Sequence, residues 1–315
     1  MKENDTMAEL IDFGGYTHCI KLENAHTRVI LGPHCGGRVL EYAWEGENAL
    51  MLDPEHDGWI QGQGREPLGH LFPSGGRFDI GPEHIIPRHP ELWYGRWQGE
   101  IVGDSVRMVS QESESTGTQL VREFALDADS SRLTCTQIIR NVSDRETRWC
   151  HWARTFARGH GICVVPLTPR LSHLPTQYVM YGPGPVIDWR PEEPAIRVQD
   201  DVLRVIDTPA YPKIGFDSFA GWFGYLMPND LLFLKRFPTY PERVYNDLAG
   251  FTLCLYYYKD IVCELEPIGP MEVLAPGESA SFTEEWWLVP YPFPGQRNAL
   301  VVEHLMEVAQ GVMEG

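Results

Sequence analysis

Short runs in which apolar and polar side chains alternate recur from about residue 26 to residue 288, punctuated by Gly, Pro, Asn and Asp. A two-residue period marks a strand with one face buried and one face wet. The clearest pair is 119–126 and 133–140. There Leu133, Cys135, Gln137 and Ile139 oppose Thr134, Thr136, Ile138 and Arg140, and the preceding Asp127-Ala-Asp-Ser is turn chemistry. An antiparallel meander is the predicted result. The same reading predicts strands at 27–31, 38–44, 97–102, 105–111, 220–227, 231–237, 251–258, 261–266 and 278–288. No helical pattern alternates with them, so a parallel βαβ sheet is disfavoured. The expectation is an all-β fold, a large antiparallel β-sandwich.

One helix is predicted. Val301, Leu305, Val308 and Val312 repeat at near-helical spacing after Pro294-Gly295, so a helix over about 296–312 should cap the sandwich. Two stretches break the strand pattern, 59–94 and 167–202; the first is rich in Gly, Pro, His and Arg. Long irregular insertions on a β scaffold usually carry function. No repeat or low-complexity tract divides the chain, and a single domain over 1–315 is expected, its sandwich spanning about 26–290.

Composition narrows the partners. The 315 residues are 43% hydrophobic, enough for a large core, and 44 acidic against 26 basic side chains give a formal charge of −18. Such a surface repels nucleic acid and anionic membranes. The longest nearly uncharged run, 218–229, is too short to span a bilayer. The opening MKENDTMAEL lacks the apolar centre of a signal peptide, and the seven Cys form no CxxC pair. Free buried thiols in a cytoplasmic protein, monomeric or homodimeric, are expected.

Four constellations could carry chemistry. Within 75–97, Gly75-Gly76-Arg77-Phe78-Asp79 is followed by Glu83, His84, Arg88, His89, Glu91, Trp93 and Trp97. Bidentate polar groups beside indole rings suit a sugar, which offers hydroxyls and an apolar ring face; a loop pinned by salt bridges is the plainer alternative. The second is the run from Trp149 to Phe156, where alternation puts His151, Ala153 and Thr155 on one face and Cys150, Trp152 and Arg154 on the other. A lone strand His is more often a core residue than a catalyst. Third, Glu264 and Glu266 share a face of an apolar run. Paired carboxylates there must find cationic partners or rise in pKa, as a general base does. Fourth, Lys213 and the 220–237 region with Trp222, Lys235 and Arg236 could receive a carboxylate from an acidic sugar. Glu83, His84, His89 and His151 could instead hold a divalent ion for a lyase or isomerase, but no HExxH or tight pairing supports that, and no metal or cofactor is expected.

Leu265-Glu266-Pro267, the turn Pro276-Gly277-Glu278 and the closing strand with Trp286 and Trp287 stand in an order that resembles the aldose 1-epimerase (galactose mutarotase-like) superfamily, and more closely an uncharacterised bacterial branch of it. Gly36-Gly37-Arg38-Val39 followed by Gly46-Glu47-Asn48 is similar to that family's opening strands, and the likeness covers roughly 26–290. It implies a β-sandwich with a sugar in a cleft, and proton transfer at the anomeric carbon of a free sugar or sugar acid. Glu266 would be the base, His151 the general acid or its partner, and Arg77 a hydroxyl clamp. The family's first histidine falls on His84 or His89. Its usual His-Gly is missing, as is an Asn-Arg after the Gly-Arg. A non-catalytic carbohydrate-binding protein is the alternative.

Overall fold

The computed structural model describes residues 7–66, 69, 71–181 and 186–315. Among them the chain folds into two antiparallel sheets of 13 and 10 strands, stacked face to face. The central part of the first sheet runs Gly76–Gly81, Thr147–Arg158, Val262–Pro267, Leu253–Tyr258, Lys213–Phe216, Tyr178–Tyr181. The second carries Trp222–Met227, Leu231–Arg236, Ser279–Pro290, Leu133–Asn141, Thr118–Leu126 and Ser105–Ser113 side by side. The meander expected from alternation is present: Leu133 pairs with Leu126, and burial along Leu133–Asn141 alternates residue by residue.

Because successive side chains point to opposite faces, each central strand is divided between two duties. Inward go Phe78, Ile80, Leu255, Leu265, Ile214 and Phe216, which meet Leu120, Phe124, Ile139, Phe233, Phe282 and Trp286 of the other sheet in one core. Each such side chain contributes about 1.5–3 kcal/mol on burial. Charged and amide groups interrupt the second sheet's inner face, among them Arg122, Gln137, Lys235 and Glu284, all fully buried. Lys235 Nζ lies 2.8 Å from Glu284 and donates to Thr155 Oγ1 at 3.0 Å and to the Leu265 carbonyl at 3.4 Å. Gln137 Nε2 and Trp286 Nε1 also donate to Glu284. Arg122 Nη1 donates to the carbonyls of Gly37 and Gly76 at 2.9 and 3.1 Å. The bonds to Thr155, Leu265 and Gly76 fasten the second sheet to the first.

The helix spans Val302–Glu314, starting later than expected because Arg297–Ala299 forms a 3₁₀ turn first. Its Leu305 and Ala309 pack on Ile162, Leu226, Leu232, Leu234 and Trp287, the outer face of the second sheet. Two strands that alternation did not predict, Met7–Phe13 and Tyr16–Glu23, precede residue 26 and pair with each other. The stretch 59–94 is not wholly irregular, since it holds the central strand Gly76–Gly81, buried at every position. That strand does alternate, Arg77 and Asp79 against Phe78 and Ile80, but over only four residues between two glycines, and both of its faces are covered. All seven Cys are buried and free. Among the described residues no helix is long and apolar enough to cross a membrane.

Candidate functional site

The outward-facing residues of those central strands form a charged row. Arg77 pairs with Arg154 across one strand boundary, Phe156 with Glu264 across the next, and Tyr256 stands opposite both Glu264 and Lys213. A cavity of about 220 Å³ opens over this row, walled by Leu71, Phe72, Glu83, Trp93, Phe156 and Tyr181 and floored by Arg77, Arg154, Lys213, Tyr256, Glu264 and Glu266. Wider depressions of about 440, 540 and 500 Å³ lie elsewhere, but no buried charged side chain lines them. Converging buried charge is the mark of a site; size alone is not.

Glu264 is taken by two guanidinium groups: Arg154 Nε donates to it at 2.9 Å and Arg77 Nη2 at 3.4 Å. Glu266 is fully buried, lies 3.3 Å from Arg154 Nε, and neither of its oxygens accepts a hydrogen bond. Burial, reinforced by the charge of Glu264, pushes its carboxyl up to about 8, against the pull of Lys213 and Arg154. Burial opposes the charge on Lys213, but Glu266 and Glu83 outweigh it and its pKa ends above the usual ammonium value. Lys213 is paired with Glu83, which is 44% exposed at the mouth.

Trp93 covers the row. Its ring lies 3.9 Å from the Arg77 guanidinium and 4.8 Å from that of Arg154. It closes the short helix Pro90–Trp93, whose N-cap is His89. Burial lowers the His89 pKa, but Asp79 more than offsets this and holds it near 8. Its Nε2 sits 2.9 Å from Asp79 Oδ1 and its Nδ1 2.6 Å from the Pro87 carbonyl, so both ring nitrogens are occupied.

Of the residues singled out from sequence, Arg77, Glu83, Trp93, Lys213, Glu264 and Glu266 meet in this cavity. The histidines do not. His151 lies on the core face of its strand, fully buried and stacked between Phe78 and Phe282, with Nε2 3.2 Å from the Ala280 carbonyl. Its expected place beside Glu266 is corrected by the strand's pleat: Arg154, three residues on, takes the outer face. His84 and Arg88 are exposed and outside the cavity lining, and His89 is held back by Asp79. Trp222 packs beneath the C-terminal helix on the other sheet. Among the described residues, no group of three or more His, Cys, Asp or Glu could hold a metal, and Glu83, His84, His89 and His151 do not converge. Arg154, Phe156, Tyr181 and Tyr256 were not foreseen as site residues. Alternation had already set Arg154 opposite His151, a signal that could have found it.

No family model matches the chain, and no curated protein matches its sequence. Solved structures do match in shape. A galactose mutarotase related enzyme from Lactobacillus acidophilus superposes with a TM-score of 0.58 at 11% identity, over 91% of this chain and 98% of that one. A galactose mutarotase-like protein from Lactobacillus casei gives 0.57 at 10%, over 86% and 100%. The Slr1438 protein of Synechocystis sp. gives 0.57 at 16%, over 89% and 99%. At such identities the likeness speaks for architecture alone, and on that ground this chain has the galactose mutarotase-like β-sandwich fold.

Proposed function

We propose that the cavity binds a free monosaccharide or sugar acid and that Glu266 performs acid–base chemistry at or near its anomeric carbon, in the manner of an aldose 1-epimerase. One observation carries this reading: a fully buried carboxyl with a raised pKa and no hydrogen-bond donor sits in a cavity with guanidinium, ammonium and phenol groups around it. A buried polar atom without a partner is costly, and a ligand hydroxyl would supply the missing donor. The ionised carboxylate takes the proton of the anomeric hydroxyl. Breaking the bond between C1 and the ring oxygen then leaves an open-chain aldehyde. Rotation about the C1–C2 bond and reclosure give the other anomer, and the proton returns. Protonation of the ring oxygen falls to a lining donor, Tyr181 or Lys213, or to water, because no His lines the cavity among the described residues.

That last point favours a second reading, a carbohydrate-binding protein without catalysis. Polarimetry on freshly dissolved sugars separates the two. The enzyme reading expects accelerated anomer interconversion that Glu266→Gln lowers by about a hundredfold or more. Unchanged interconversion by that variant would remove Glu266 from the chemistry. Saturable binding with no acceleration by the unaltered protein would establish the second reading.

A further inference from the structure

Arg77 is under-used for a buried cation. It is 3% exposed, and its one described hydrogen bond is the 3.4 Å contact from Nη2 to Glu264, whose better partner is Arg154. Its Nε and Nη1 have no acceptor. A buried guanidinium normally spends its donors on carboxylates or carbonyls. Here the faces of the plane are occupied, with Trp93 at 3.9 Å and Phe156 at 5.1 Å from its carbon, so it is held in place while two of its N–H groups wait. Arg154 beside it has two carboxylates in reach, Glu264 and Glu266, whereas Arg77 reaches Glu264 alone and at the longer distance. Burial and the neighbouring Arg154 charge bring the Arg77 pKa down to about 10, the direction expected of a cation short of counter-charge. The opposite deficit, acceptors without donors, lies in the same cavity on Glu266, together with the unbonded hydroxyl of Tyr181.

We propose that the ligand is a monosaccharide bearing a carboxylate, a uronate-type sugar acid, whose carboxylate is received by Arg77 while its hydroxyls serve Glu266 and Tyr181. This rests on the reading of the cavity as a sugar site and narrows it, giving Arg77 an ionic role in place of a hydroxyl clamp. A carboxylate is planar and meets a guanidinium edge with two parallel hydrogen bonds, and either edge of Arg77 pairs one of the waiting nitrogens with the second N–H of Nη2. A phosphate ester would bring up to two negative charges beside Glu264 and Glu266, and more bulk. The cavity, at about 220 Å³, is smaller than the roughly 300–1,000 Å³ of sites for drug-sized ligands and suits a single sugar ring.

Calorimetric titration of the full chain with galacturonate, glucuronate, galactose, glucose and glucose 6-phosphate near neutral pH tests this. A uronate should bind about ten- to a hundredfold more tightly than its parent hexose. The methyl ester of that uronate, which keeps the ring and removes the charge, should lose that advantage without any change to the protein. Arg77→Lys, which keeps the charge and removes the fork, should cut the uronate-over-hexose preference to within about threefold. A hexose or the ester binding as tightly as the acid overturns the proposal and leaves the sugar site standing, and so does a stronger affinity for the phosphate. Binding of none of these sugars removes the sugar site itself.

Discussion

His151 and Glu266 are both fully buried and both titratable, and burial favours the neutral form of each by moving their pKa values in opposite directions. Removal from water lowers the His151 pKa to about 4 and raises that of Glu266 to about 8, so each is held neutral at moderately acid pH. For His151 the unfolded chain binds the proton first as pH falls. Its contribution to stability is therefore complete above about 6.5 and is lost progressively down to about 4, on the order of 3–4 kcal/mol in all. His151→Gln, which keeps a donor for the Ala280 carbonyl but cannot titrate, should flatten that part of the curve of urea-unfolding free energy against pH. An unchanged slope would mean that His151 is not the group being titrated. Glu266 works the other way: the base proposed for it needs the ionised form, so on that proposal anomer interconversion should rise with pH through about 8 and then level. A rate already level by pH 6 would contradict the burial assigned to it. Alternation in the sequence separated His151 from Arg154 but carried no label for which side was the core. Polar character then misleads, because an imidazole between two phenylalanine rings is as acceptable inside as a charged guanidinium is outside.

At the scale of the element, the strand Gly76–Gly81 shows what sequence pattern conceals. Strands with one wet face, such as the nine residues Leu133–Asn141, declare themselves by a sustained period of two; Gly76–Gly81 keeps that period for only four residues, Arg77 to Ile80, and so blends with the Gly-rich stretch around it. Its entry depends on Gly75, at φ +93°, where a Cβ would stand 2.6 Å from the Val39 carbonyl oxygen. Gly75→Ala should therefore cost on the order of 1–3 kcal/mol, read as a fall in the thermal midpoint, and should weaken sugar binding because Arg77 lies two residues on. A midpoint within experimental error of the unaltered protein would show that the turn can relax. Met7–Phe13 and Tyr16–Glu23 escaped notice for a related reason: burial along the second follows no strict two-residue period.

For the whole molecule, the class of fold was legible because a dozen half-buried strands and one terminal amphipathic helix leave few alternatives. Strand order was not, since it is set by pairings between residues more than a hundred positions apart, such as Arg154 with Glu264. What locks the two sheets together was also hidden, for nothing in the sequence marks Lys235, Gln137 and Glu284 as one buried group. Lys235→Met should leave the Glu284 carboxylate buried without its cation and cost about 3–5 kcal/mol in urea unfolding. Adding Glu284→Gln should recover a substantial part, and a double variant no more stable than the single one would argue against the pairing. Because the odd and even positions of the strands Thr147–Arg158 and Val262–Pro267 answer to different surroundings, the set that builds the molecule and the set that lines the cavity are physically separate alphabets. Positions 154, 156, 264 and 266 could thus be rewritten as a group, with Ala153, Thr155 and Leu265 left to keep the scaffold standing.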